Sequence, residues 1–266
     1  MDKTAAGMAQ TTLLATVHDP SGRMVAALDE RGARLRGYAR VHVTVTSGTD
    51  ERVRGRLVAW GASIVSGAPD GVGGSMRALL RAASAERAPS SFYCDFDRWL
   101  HWAGAFPQEL DAFPDTVAAR FPDAWYVCVG RTARAFGTHP EVQRIAEAAT
   151  NRALALAAGR RLDATGGSCW VSRAGAALIL ERSCEPTKAT DLEWPALILA
   201  GDPARLAGSS VEGLEFETAE FYAPEIAAAG GLEAWLRETY DAPQMWRDRL
   251  RLAADSVAAL SRILSR

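Results

Sequence analysis

Short apolar runs alternate with helical spacing over the first hundred residues. Residues 12–17 (TLLATV) and 39–46 (ARVHVTVT) read as strands, the second because it alternates with period two and is β-branched. Residues 62–65 and 91–94 are two further short strand runs. Between them, residues 24–35, 50–60 and 75–85 carry helical spacing, and a glycine-rich loop is expected over 67–74. The second part is more helical. Helices are expected over 107–121, 138–158, 173–182 and 190–199, and strands over 125–130 and 168–172. Thr138 is the expected cap of the second of these helices, and residues 213–218 are expected as an edge strand.

Strands that alternate with helices predict an α/β fold built on a mostly parallel sheet. Such sheets bind ligands beyond the carboxyl ends of their strands. The residues to watch therefore follow strands one, two and four: His18-Asp19, Ser47-Gly48-Thr49-Asp50 and Asp95-Phe96-Asp97.

From Pro243 onward the pattern is a long helix. Trp246, Leu250, Ala253, Val257, Leu260 and Leu264 are spaced 4, 3, 4, 3 and 4 and make one apolar stripe. The expectation is a helix laid on the main domain; a homodimer formed through it is the alternative. Residues 1–10 carry no apolar core and read as a disordered tail. The division expected is a domain over 11–220, with halves 11–100 and 101–220, and a helical segment over 221–266.

Composition narrows the classes. The chain has 266 residues, 48% hydrophobic and 23% charged, with a formal charge of −2. That is ordinary for a soluble globular protein and lacks the basic excess of a nucleic-acid binder. No run of eighteen apolar residues suggests a membrane helix, and a cytoplasmic location is expected. The four cysteines, Cys94, Cys128, Cys169 and Cys184, form no CxxC pair, so buried thiols are expected rather than zinc. Of thirty basic residues only Lys3 and Lys188 are lysines. The arginine excess, beside 51 alanines, reads as coding bias except where a guanidinium meets a phosphate.

The central chemical signal is Phe92-Tyr93-Cys94-Asp95-Phe96-Asp97. Two carboxylates leaving an apolar strand suit Mg²⁺ or Mn²⁺, which also bind diphosphates. The bland alternative is that one of them caps the helix that follows. Thr190-Asp191-Leu192-Glu193-Trp194-Pro195 is a second acidic stretch, which by itself reads as a helix cap. Asp19 could contact a nucleotide or make an Asx-type turn before Pro20; the turn is favoured, and Asp50 reads as a helix cap. Arg131 and Arg134 follow the strongest strand and could grip a phosphate or lie on the surface. His139 reads as structural, and Trp170 and Trp194 read as core residues or as aromatic faces for a ligand.

In order, residues 12–19, 71–83 with Arg77, 93–97 and 190–195 resemble the elements of GT-A-fold glycosyltransferases. The resemblance covers about residues 11–220, and only the Asp-x-Asp is close to a motif. It implies a Rossmann-type, mostly parallel mixed sheet flanked by helices, with a C-terminal helical extension. It further implies transfer of a sugar from a nucleotide-diphosphate sugar to an unidentified acceptor. Asp95 and Asp97 would hold Mn²⁺ or Mg²⁺, Asp191 or Glu193 would be the base, and Asp19, Arg77, Arg131 and Arg134 would bind the donor. A non-catalytic protein that keeps the fold and binds nucleotide or sugar is the first alternative. A sugar-phosphate nucleotidyltransferase is a weaker one, because the loop after strand one has a single glycine. A haloacid-dehalogenase-type phosphatase fits poorly, because its Asp-x-Asp follows the first strand.

Overall fold

The computed structural model describes residues 5–67 and 71–265. Among the described residues the strands are β1 (Thr11–Val17), β2 (Arg40–Val45), β3 (Ser63–Val65), β4 (Ser90–Cys94), β5 (Tyr126–Arg131), β6 (Ser168–Ser172) and β7 (Leu206–Val211). They form one sheet in the order β3-β2-β1-β4-β6-β5-β7. Every pairing is parallel except those of β6, which runs antiparallel to both β4 and β5. The α/β class, the mixed and mostly parallel sheet and the C-terminal helical extension expected from the sequence are therefore present.

Successive strand residues face opposite sides. Leu13, Phe92, Val127 and Trp170 enter one core, with Trp99, Trp102 and Phe113 from the helices that cover it. Leu14, Tyr93, Cys128 and Cys169 enter the other, with Leu79, Leu80, Ile179, Ile198 and Trp194. Both faces are covered, so the central strands read as apolar runs without clean alternation. Three cysteines are buried free thiols, and Cys184 is exposed.

The expected edge strand over 213–218 is a correction. The edge strand is β7, whose sequence LAGSSV buries only its end residues Leu206 and Val211. Its small, half-exposed middle gives no apolar run to read. The helix expected over 138–158 is present as Glu141–Ala158, with Pro140 rather than Thr138 at its N-cap position; a separate short helix, Ala133–Gly137, precedes it and is capped by Thr132. Part of the expected glycine loop is helical, since helix Gly71–Ala85 begins inside it; residues 68–70 lie outside the described residues. Of the expected disordered tail, Ala5–Met8 forms a helical turn with Met8 buried, and residues 1–4 lie outside the described residues.

The C-terminal helix Pro243–Leu264 packs on helices Glu141–Ala158 and Thr190–Gly201 of its own chain. Its inward face is rotated from the predicted stripe. Ser256, Ala259 and Leu260 are buried, whereas Leu250 and Leu264 are exposed. The rotation follows from what lies beneath, a polar cavity lined by Arg249, Leu252, Ala253 and Ser256. A homodimer through this helix is not supported, because its inward face is spent within the chain. Among the described residues, no helix is long and apolar enough to cross a membrane.

Candidate functional site

The carboxyl ends of β1, β2 and β4 open into a cavity of about 860 Å³. Thr16, Val17 and His18 line it from β1, and Thr44 to Ser47 from β2. Gly71, Val72 and Ser75 come from the start of a helix, and Arg54 from helix Glu51–Ala59. Asp95, Asp97 and Lys188 form its inner end. The same three residues line a second, polar cavity of about 270 Å³. Asp191, Glu147, Glu217, Arg98 and Arg249 also face that space.

The wall between the cavities is built from Asp95. This residue is the N-cap of helix Phe96–Ala105, but its side chain accepts no capping hydrogen bond. It turns instead to Lys188, whose Nζ is 2.9 Å from both carboxylate oxygens. Tyr93 Oη donates to Asp95 Oδ1 at 2.6 Å, and the Thr16 hydroxyl lies 2.9 Å from Tyr93 Oη. The turn before β6 reaches the same place. Gly167 has φ +66°, and a Cβ there would come within 2.5 Å of Asp95 Oδ2. Glycine is thus required both for the backbone conformation and for the close approach.

Lys188 owes its place to its loop. Gly73 N donates to Pro186 O at 3.0 Å, and a Cβ on Gly73 would lie 2.1 Å from Glu185 O. Arg77 Nη1 donates to Glu185 O at 2.6 Å. Glu193 Oε1 accepts from the backbone N–H groups of Cys184 and Glu185 at 2.9 and 3.0 Å. Glu185 is tied to Arg262 at 2.7 Å. Arg77 and Glu193, singled out in the sequence for phosphate and base roles, line neither cavity. Both hold the loop that carries the lysine.

The charges of this wall are shifted unequally. Burial pushes the Asp97 carboxyl up, Glu217 and Asp95 push it further, and it reaches about 7. Burial likewise raises Asp191 to about 7, with Lys188 opposing. Burial also acts to raise Asp95, but Lys188, Tyr93 and Arg98 outweigh it, and Asp95 lies below the ordinary carboxylate value. Arg98 Nη1 is 3.7 Å from the buried Glu217.

The remaining sequence candidates stand elsewhere. Asp19 is buried and accepts from the backbone N–H groups of Arg23 and Met24 at 3.0 and 2.8 Å, four and five residues on, rather than from the second residue on as an Asx-type turn would. Asp50 caps its helix through Arg52 N. Arg131 is buried, with Nε on Asp163 at 2.9 Å and Nη1 on Glu147 at 2.6 Å, so its fork is spent on carboxylates. Arg134 is half-exposed and pairs with Glu212 and Glu215. His139 is buried and held low, to about 3, chiefly by burial, and its Nε2 meets Leu214 O. Trp170 and Trp194 fill the two cores.

Lys188, Glu217, Glu147 and Arg249 were not found from the sequence. Lys188 carried a signal: it is one of two lysines among thirty basic residues and stands three positions before Asp191. The other three come from distant segments and leave no local pattern.

A resident Mn²⁺ or Mg²⁺ would need several oxygens turned to one point. Asp95 has turned both of its oxygens to the Lys188 ammonium, and Asp97 Oδ1 accepts from Arg98 N at 2.9 Å. Among the described residues, no three His, Cys, Asp or Glu side chains gather where they could hold a metal ion. The expected metal pair therefore does not fit: the residues present suit an ammonium, not a divalent ion.

No family model matches the chain, and no curated protein matches it. Among solved structures, it is similar to glucosyl-3-phosphoglycerate synthase from Mycobacterium tuberculosis in complex with Mn²⁺, UDP and glucosyl-3-phosphoglycerate. The identity is 14%, the match covers 78% of this chain and 73% of that one, and the TM-score is 0.48. A second structure of the M. tuberculosis glucosyl-3-phosphoglycerate synthase is 13% identical, over 87% of this chain and 86% of that one, with a TM-score of 0.47. At these values the likeness assigns no residue of this chain a role.

Proposed function

We propose that the chain is a glycosyltransferase of GT-A type, moving a sugar from a nucleotide-diphosphate sugar to an acceptor hydroxyl. The observation that carries this reading is the wall of Asp95, Asp97 and Lys188 shared by two cavities. The larger cavity lies where an α/β sheet binds its ligand, and about 860 Å³ is within the usual range for such sites. The smaller one is polar and presents Asp191. A donor in the first cavity would place its anomeric carbon at the wall, facing an acceptor in the second.

Asp191 is the base in this scheme. A carboxylate whose pKa is near 7 is matched to taking a hydroxyl proton at neutral pH. The acceptor oxygen bonds to the anomeric carbon, and its proton passes to Asp191. The bond from that carbon to the diphosphate oxygen breaks, and both electrons leave with the nucleoside diphosphate. Glu193 has no part, since two backbone N–H groups occupy its Oε1 and it faces neither cavity.

Calorimetric titration of the full chain with UDP, GDP, ADP and dTDP, each with and without Mn²⁺, tests the reading. Micromolar binding of one nucleotide, competed by its sugar conjugate, is expected. Slow hydrolysis of that conjugate, lost in Asp191→Asn, should accompany it. Absence of binding by every nucleotide in both conditions overturns the reading. Binding with no hydrolysis or transfer supports the non-catalytic binding protein instead.

A further inference from the structure

We propose that Lys188 takes the part of a divalent cation at the Asp95-x-Asp97 pair, so that the donor diphosphate is met by an ammonium supplied by the chain. The inference rests on the proposed transferase reading for its donor, but its metal half stands on the geometry alone. Nζ lies 2.9 Å from Asp95 Oδ1 and from Oδ2, and Oδ1 also receives the Tyr93 hydroxyl. A divalent ion on Asp95 would have to displace this ammonium or sit against it, like charge against like.

The lysine is placed for the task. It lines both cavities, at the point they share. An ammonium has three N–H donors. Two directed at Asp95 leave one for a phosphate oxygen on the side of the larger cavity. Two acidic side chains would otherwise repel a diphosphate there; with Lys188 on Asp95, one of them is neutralised before the donor arrives. As the bond to the diphosphate breaks, charge grows on the leaving oxygen, and a fixed ammonium favours that state over the ground state. No proton is transferred in this role: Lys188 stays charged and Asp95 stays ionised.

The mounting is held from several sides. Glu193 and Arg77 hold the backbone of residues 184–185. Gly73 allows the loop onto the helix, and Glu185 anchors it to Arg262. A side chain that merely covered an empty acidic site would need no such support. Arginine is the ordinary cation of this chain, 28 to two, yet a lysine stands here. An ammonium is a compact point charge that can stand between a carboxylate and a phosphate, where a planar fork would spend its donors on one of them.

The test has two arms. In the first, Mn²⁺ alone is titrated into the full chain and followed by electron paramagnetic resonance. The wild type is expected to leave Mn²⁺ free at millimolar concentration. Binding that disappears in Asp97→Asn or Asp95→Asn overturns the proposal, without use of any nucleotide. In the second, nucleotide affinity is measured in EDTA and in Mn²⁺. Equal affinity is expected, with a loss of tenfold or more in Lys188→Met and partial recovery in Lys188→Arg, whose folding is checked by circular dichroism. Affinity that requires Mn²⁺, or is unchanged in a folded Lys188→Met, overturns it. If no nucleotide binds under any condition, the transferase reading and the donor half fall together, and the Mn²⁺ arm still decides whether Lys188 closes the cation site.

Discussion

The ammonium of Lys188 stands 2.9 Å from each oxygen of Asp95, closing a contact across 93 residues of sequence. Both side chains are largely buried, at 25% and 21% exposure. The contact binds the end of β4 to the loop before helix Thr190–Gly201, the helix that carries Asp191.

Breaking one side of this pair should cost more than removing both. Either Asp95→Asn or Lys188→Met leaves a largely buried charge without its partner, which is worth about 3 kcal/mol. The double variant should recover much of that loss, so a double-mutant cycle in urea should give a favourable coupling energy. The pH window has two edges. Asp95 is held below its ordinary 3.8, so its contribution is present above that value and is lost as pH falls through the lower folded value. Lys188 is held well above 10.5, so its contribution is complete below 10.5 and is lost only at more alkaline pH.

Asp97 should show the opposite sign. Its folded value is about 7 against an ordinary 3.8, so the folded chain holds a proton that the unfolded chain has released. Stability should then fall as pH rises from 3.8 towards 7. Asp97→Asn keeps the neutral form at every pH. The variant should melt several degrees above the wild type at pH 8 and close to it at pH 4, since about 1 kcal/mol corresponds to roughly 2–4 °C in a chain of this size. A melting difference that does not change between pH 4 and pH 8 would refute this assignment.

Much of this site was legible in the sequence, but unevenly. β1, β2, β4, β5 and β6 were readable because their apolar runs are bounded by turns, and they placed Asp95-x-Asp97 at a strand end. The weakness lay in assigning work to charged residues. Arg131, Arg134, Arg77 and Glu193 each stood beside a promising strand or motif, yet each is spent on other partners: Asp163 and Glu147, Glu212 and Glu215, the backbone of Glu185, and, from eight and nine residues back, the 184–185 amides. Such pairing depends on tertiary placement and leaves no local trace. The offset of the last helix has the same origin. Its hydrophobic spacing gave a good stripe, but Arg249 and Ser256 are turned inward by a polar cavity that other elements create.

Asp191 and Glu193, two residues apart, should separate cleanly. Asp191→Asn should abolish turnover while leaving donor affinity within about threefold, because Asp191 lines only the smaller cavity. The wild-type rate should rise with pH through about 7 as Asp191 ionises, and that limb should vanish in the variant. Glu193→Ala should act by another route. It strips the backbone N–H groups of Cys184 and Glu185 of their acceptor, a loss of about 1–3 kcal/mol for the buried Glu185 donor. The loosened loop should raise KM for the donor through Lys188, with the acid limb of the pH profile kept. Loss of that limb in Glu193→Gln would reverse the two roles.

A substitution that alters no charged group gives the last test. Gly73 lies in helix Gly71–Ala85, where a Cβ would meet Glu185 O at 2.1 Å, and Pro186 C and Thr187 O at 3.0 Å. These are backbone atoms and cannot rotate aside, so Gly73→Ala must push the loop away from the helix. Overpacking of this kind costs about 1–3 kcal/mol. The loop carries Lys188 one residue further on, so donor affinity should fall with stability although no charged group has changed. Gly55→Ala is the control. Gly55 sits in helix Glu51–Ala59 with nothing within 4 Å of the added carbon, and alanine there should stabilise by about 0.5–1 kcal/mol. Urea denaturation and a nucleotide titration on both variants should therefore move in opposite directions for stability, and only Gly73→Ala should weaken nucleotide binding. Unchanged affinity in a destabilised Gly73→Ala would show that the position of the loop, and with it Lys188, does not govern the donor site.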